Sequence, residues 1–167
     1  HTHITRYLFA HGAEPGPAGA RLVRSAADNG SAELVQLLLT HGAEASLIGP
    51  GMWVKHTGIA RMLLAHGADV NYPSGIWVWK SCTGNNSRRD DPEYVQALLD
   101  CGAKIDTRLR GACPLHYAAK SGHTNTLKVL LKNNAKVNAV NDKGETPLFY
   151  AFKAGKRADI VSVCRLL

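Results

Sequence analysis

The sequence predicts an all-α repeat solenoid, a stack of helix-turn-helix units joined by polar loops. Three observations predict it. An amphipathic helix closed by Gly-Ala or Asn-Ala recurs at 4–15, 33–45, 58–71, 93–106 and 125–138. Its closing residues Gly12, Gly42, Gly67, Gly102 and Asn134 lie 30, 25, 35 and 32 residues apart. A second, proline-led segment precedes some copies, most clearly at 111–123 and 144–156. Self-similarity at such a period marks units that bury their apolar faces only against neighbours.

The elements follow in order. Residues 1–15 form a partial unit, one helix with Gly12 past its end. In 16–46, Leu34, Val35, Leu37, Leu38 and Leu39 form a broad apolar stripe at helical spacing. Gly42 follows, where a left-handed backbone favours glycine, and Asn134 is the next best residue at such a site. Ser25-Ala26-Ala27 and Gly30 keep the earlier half of that unit in register. Residues 47–71 form a short unit whose first helix is expected near 49–55, with Trp53 in a stretch that resists alignment. Residues 72–106 carry an insertion at 84–90, then a helix opening at Pro92 with Asp91 as its cap. In 107–138, Pro114 suits the first helical turn, and Cys113 before it caps only weakly. Ala118 and Ala119 are small enough for a neighbouring helix to come close, and Gly122 breaks the helix. Residues 139–167 repeat this with Thr146, Pro147 and Gly155, and the last helix stops before its cap.

The chain has 167 residues, enough for a substantial core without disulfides. Lys+Arg is 20 against 13 Asp+Glu, and most of the excess lies after residue 83. That basic half reads either as a face for an acidic partner, nucleic acid included, or as a solvated surface of interspersed charges. Cys82, Cys101, Cys113 and Cys164 form no CxxC pair and no zinc-ligand spacing, so no metal and no cofactor is expected. Reduced thiols fit an intracellular setting, in cytoplasm or nucleus. No apolar run is long enough for a membrane span, and no secretory leader is evident. Since the sequence opens at His1, a piece of a longer polypeptide is expected, with further repeats or domains of the same parent chain.

At 111–138 the residues GACPLHYAAKSGH and the ending LLKNNAKVN resemble the ankyrin repeat family. Cys113 stands where the family has Thr, and Asn134 where it has Gly. The GADVN of 67–71 matches without substitution, and the resemblance covers nearly the whole chain. It implies stacked helix pairs with hairpin-like loops projecting at right angles. Arg21-Leu22-Val23-Arg24 and Trp77-Val78-Trp79-Lys80 replace the T-P-L-H tetrad in two units. The latter alignment puts Trp79 at the core leucine position and Trp77 near the loop base.

The resemblance also implies where a partner binds, on loop tips and the exposed positions of first helices. The loop positions are Pro17, Ala18 and Ala20; Pro73, Ser74 and Ile76; Arg108, Leu109, Arg110 and Ala112; and Asp142, Lys143 and Glu145. The helix positions are Asp28, Asn29, Lys120, Ser121, Lys153 and Ala154, with Tyr117 and Tyr150 facing the same groove. Arg108, Arg110, Lys120, Lys143 and Lys153 gather on adjacent units, interleaved with the two tyrosines. Arg and Tyr are enriched at interface hot spots, which points to an acidic peptide or protein surface. Trp77 is either a further anchor or filler beside the short unit. The six histidines His11, His41, His66, His116, His56 and His123 read as structural, the first three favoured by the helix dipole and His116 by hydrogen bonds between loops.

No catalytic motif occurs: no GxSxG, no phosphate-cradling GxxxxGK[ST], no HExxH. The expected role is a non-enzymatic protein–protein interaction module. Two rivals are a nucleic-acid binder using the basic half, and a small-molecule or enzymatic site at the Trp-containing centre. Asn71 and Asn138 also occupy positions similar to those hydroxylated in ankyrin repeats.

Overall fold

The computed structural model describes residues 2–45, 56–71, 76–82, 90–155 and 160–167. The first helix expected at 49–55, Trp53, the loop positions Pro73 and Ser74, and the insertion up to residue 89 lie outside them. Among the described residues there are ten helices and no strand, only one isolated bridge between Leu109 and Ala112. The chain forms two compact bodies, 1–69 and 70–167.

The N-terminal body holds α1 (Thr2–Ala10), α2 (Gly19–Asp28), α3 (Ala32–Thr40) and α4 (Thr57–Ala65). Helices α2 and α3 fold back on each other through a turn at Gly30. Val23, Ala26 and Ala27 of α2 meet the core, as do Val35, Leu38 and Leu39 of α3 and Ile59, Ala60 and Leu63 of α4. The i, i+3, i+4 spacing puts each set on one face. Ala20 lies in α2 and is buried, not at a loop tip as expected, because the helix starts one residue before it.

The C-terminal body holds α5 (Ile76–Cys82), α6 (Pro92–Asp100), α7 (Pro114–Ser121), α8 (Thr124–Lys132), α9 (Pro147–Ala154) and α10 (Ile160–Leu166). It has two layers. Helices α5, α7 and α9 pack in one, α6, α8 and α10 in the other, and each first helix pairs with the next. Leu98, Leu115, Leu127, Leu130 and Val163 are fully buried between them. Burying one such leucine stabilises by about 1.5–3 kcal/mol. Ala118 and Ala119 have no exposed surface, and their small side chains admit α9.

Local signals place the helix ends. Gly12, Gly42, Gly67, Gly102 and Asn134 all have positive φ, from 64° to 88°, two residues past α1, α3, α4, α6 and α8. The histidines before three of them do more than offset the dipole. His11, His41 and His66 each place Nδ1 2.8 Å from the carbonyl four residues back, and Asn133 donates to Val129 in the same way. Asp91 Oδ1 accepts the Tyr94 N–H at 3.0 Å, and Thr146 Oγ1 accepts that of Phe149 at 3.4 Å.

In α5 the buried stripe is Val78, Ser81 and Cys82, matching Leu115, Ala118 and Ala119 of α7. Val78 therefore holds the core leucine position, and the tetrad alignment shifts by one. Trp79 is half-buried instead, with its ring edge against Tyr117. Centring the buried face on Val78 puts a compact β-branched side chain in the core and leaves the wide indole at its margin.

Candidate partner-binding face

The face is built on α7, α9 and the two hairpins that lead into them. In the first hairpin Leu109 and Ala112 exchange both backbone hydrogen bonds, at 3.0 and 3.2 Å. Ala112 is thereby buried, and only Arg110 and Gly111 form the tip. Gly111 has φ 77°, a backbone that favours glycine, and a Cβ there would have to displace the Asp142 carboxylate.

The second hairpin is organised by Asn141, which is 7% exposed. Its Oδ1 accepts the N–H groups of Lys143 at 2.9 Å and Glu145 at 2.8 Å. Its Nδ2 donates to Glu145 Oε2 at 2.8 Å and to the Tyr150 hydroxyl at 3.1 Å. All four hydrogen-bonding positions of the amide are filled, which fixes this loop against α9. The same amide, with Lys153 beside it, holds the Glu145 carboxyl below the usual range.

His116 ties the two hairpins together. It is fully buried, its Nδ1 accepts the Cys113 N–H at 3.3 Å, and its Nε2 lies 3.0 Å from the Glu145 carbonyl. With Nδ1 accepting, the proton sits on Nε2 and is donated to that carbonyl. Burial holds its pKa below the ordinary value, consistent with a neutral ring. The Cys113 sulfur sits 3.0 Å from Nδ1, and burial pushes that thiol up. The Cys82 thiol is pushed up to about 12 by burial, so neither buried sulfur is an activated nucleophile.

An aromatic row runs across the helices. Trp79 meets Tyr117 at 4.9 Å between ring centroids, Tyr117 meets Tyr150 at 6.0 Å, and Tyr150 meets His116 at 5.1 Å, all edge-on. Edge-to-face pairs at these distances stabilise beyond their buried area and hold the rings in place.

The structure divides the expected cations. Arg108 pairs with Asp142 at 3.7 Å, and Lys153 pairs with Glu145 at 3.4 Å while lying 5.9 Å from the Phe149 ring. Arg110, Lys120 and Lys143 are exposed and belong to none of the four ion pairs among the described residues. Ser121 is half-buried and donates to the Cys82 carbonyl at 3.2 Å. Trp77 lies in α5, with its side chain outside the described residues. Sequence reasoning missed Asn141. Its one available signal was an Asn four residues before a Glu in a loop. The two cross-hairpin and loop-to-helix ion pairs leave no periodic trace at all.

Among the described residues no group of three or more His, Cys, Asp or Glu is placed to hold a metal ion. The cysteines are free. No helix is long and apolar enough to cross a membrane, again among the described residues.

Paired helices in two layers, with hairpins laced to their neighbours by buried side chains, define a helix-turn-helix repeat protein. Residues 86–167 match the family model described as ankyrin repeats in three copies. The chain is 28% identical over 133 residues to a putative ankyrin repeat protein of Fowlpox virus, covering 72% of this chain and 29% of that protein. It is 36% identical over 135 residues to the ankyrin repeat and KH domain-containing protein mask-1 of Caenorhabditis elegans, covering 75% and 5%. It is 50% identical over 132 residues to a transient receptor potential cation channel subfamily A member 1 homolog of the same worm, covering 78% and 9%. The chain thus spans less than a third of each of these relatives. It belongs to the ankyrin repeat family, whose members are in general protein–protein interaction modules.

Proposed function

We propose that this chain is an intracellular, non-catalytic interaction module that takes an acidic peptide or protein surface on the 108–153 face. One observation carries the reading: Arg110, Lys120 and Lys143 are exposed and outside every ion pair among the described residues, on the same two repeats as the Tyr117–Tyr150 row. Rigid aromatic area on repeats that also carry exposed cations suits a desolvated anchor ringed by charge.

A pull-down from nuclease-treated lysate tests it, with the Arg110→Glu, Lys120→Glu, Lys143→Glu variant alongside. Arg108 is left alone because reversing it would break the Asp142 pair. A protein held by the unaltered chain and lost by the variant, at unchanged helical circular dichroism, is the expected result. Equal capture by both sinks the placement. Capture seen only in a parallel pull-down from untreated lysate would turn the reading toward nucleic acid.

A second surface bears on the parent polypeptide. Leu148, Phe149 and Phe152 of α9 are 39%, 50% and 59% exposed. Thirty-three positions earlier stand Leu115, His116 and Ala119, which are buried on the face that α9 packs against. By this register a further helix pair of the same parent chain fits on α9. Appending one consensus ankyrin repeat after Leu167 is expected to raise the midpoint of thermal unfolding. An unchanged midpoint argues against this use of the face.

A further inference from the structure

Two arginines two positions apart on the first hairpin are held very differently. Arg108 is bound across to the next hairpin by Asp142. Arg110 is one of two non-glycine residues with positive φ among the described residues, at 51°. It and Gly111, at 77°, are the central residues of a two-residue loop closed by the Leu109–Ala112 pair. Positive φ at both positions is the type I′ turn, which strongly prefers Asn-Gly or Asp-Gly. Short polar side chains tolerate this backbone because they bond locally, whereas a longer L side chain crowds the following carbonyl. The other such residue, Asn134 at φ 64°, is of the tolerant kind. Arg110 therefore occupies a position where the fold alone favours asparagine, and its side chain is exposed and outside every ion pair among the described residues. Backbone strain persisting at an exposed tip is a mark of function.

We infer that Arg110 is the residue that selects an acidic partner, its guanidinium presented by a strained turn to grip a carboxylate through two N–H donors. The inference rests on the reading above and adds which cation discriminates. Arg108 is a positioning residue that ties this hairpin to the next through Asp142. A guanidinium offers a planar fork matched to a carboxylate, which the point charges of Lys120 and Lys143 do not.

The test uses a fluorescein-labelled hexaglutamate peptide, read by anisotropy at low salt, together with thermal unfolding. Arg110→Asn relieves the turn and removes the fork. It is expected to raise the unfolding midpoint by about 2–4 °C and to weaken peptide binding about five-fold or more. Lys128→Asn removes the same charge from the exposed side of α8 and is expected to weaken binding less than about two-fold. Equal losses in the two variants overturn selection by Arg110 and leave a general basic field. A midpoint for Arg110→Asn at or below that of the unaltered chain overturns the strain. An unaltered chain that does not bind the peptide overturns the acidic-partner reading itself, and this inference with it.

Discussion

The carboxylate of Asp90 accepts the backbone N–H of Thr126 through Oδ1 at 2.8 Å, and that of Asn125 through Oδ2 at 2.7 Å. A residue next to the start of α6 thus caps α8, one repeat further on. Its neighbour Asp91 caps α6 itself. Two adjacent aspartates serve two different helices, and only the local one is visible in the sequence.

Asp90→Ala removes two charge-assisted bonds to helix N–H groups. It is expected to destabilise the chain by about 1–3 kcal/mol. Asp91→Ala loses a single local cap, worth about 1 kcal/mol. Urea midpoints of the two variants measure the difference. A smaller loss for Asp90→Ala than for Asp91→Ala would refute the cross-repeat cap.

Thr126 is fully buried and its hydroxyl has no hydrogen-bond partner among the described residues. Thr126→Val keeps the shape and removes the unpaired polar group. A gain of about 1 kcal/mol is expected. A loss in the unfolding midpoint would show that the hydroxyl is satisfied in solution.

Acid should weaken the fold through its buried histidines. Burial lowers the pKa of both His116 and His123 from the ordinary 6.5. The unfolded chain then binds more protons between the folded values and 6.5, so stability rises with pH across that window. It is fully present above 6.5 and lost as pH falls through the folded values. The urea midpoint is expected to drop from about pH 7.5 to about pH 5, and less so in His123→Asn. A midpoint flat across that range would contradict the assignment.

Asn71 joins the end of one repeat to the next. Its Nδ2 donates to the Gly102 carbonyl at 2.9 Å, and its Oδ1 accepts the Lys104 N–H at 2.9 Å. Asn71→Ala breaks both ends of this bridge, at a cost of about 1–3 kcal/mol. Hydrogen exchange at the Lys104 amide should quicken correspondingly. An unchanged rate there would show that the bridge contributes nothing.

Much of this was legible, and the reason is local. Gly42, Gly102 and Asn134 end helices because few residues accept a left-handed backbone, and that preference is written at one position. Asp91 and Thr146 cap for equally local reasons. Trp79 was misplaced because, within a seven-residue helix, two stripes one residue apart read almost alike. Burial of Ser81 beside Cys82 decides between them. The gathering of Arg108, Arg110, Lys143 and Lys153 on one stretch was visible from repeat position. Which of them carry a bound carboxylate was not, since Asp142 and Glu145 act across hairpins and helices. Asn141 escaped notice for the same reason: its partners converge only when the loop closes.

The cross-repeat bonds of the C-terminal body have a direction in time. Asn71, Asp90, Arg108 and His116 each precede their partners by about one repeat of chain. Ser121, reaching back to Cys82, and Asn133, donating to Gln96, run the other way. A polypeptide leaves the ribosome N-terminus first. Each newly made hairpin or helix start therefore emerges onto side chains that are already in place to receive it. Growth of the fold needs no distant segment still to be synthesised, and an interrupted nascent chain forfeits only its most recent repeat.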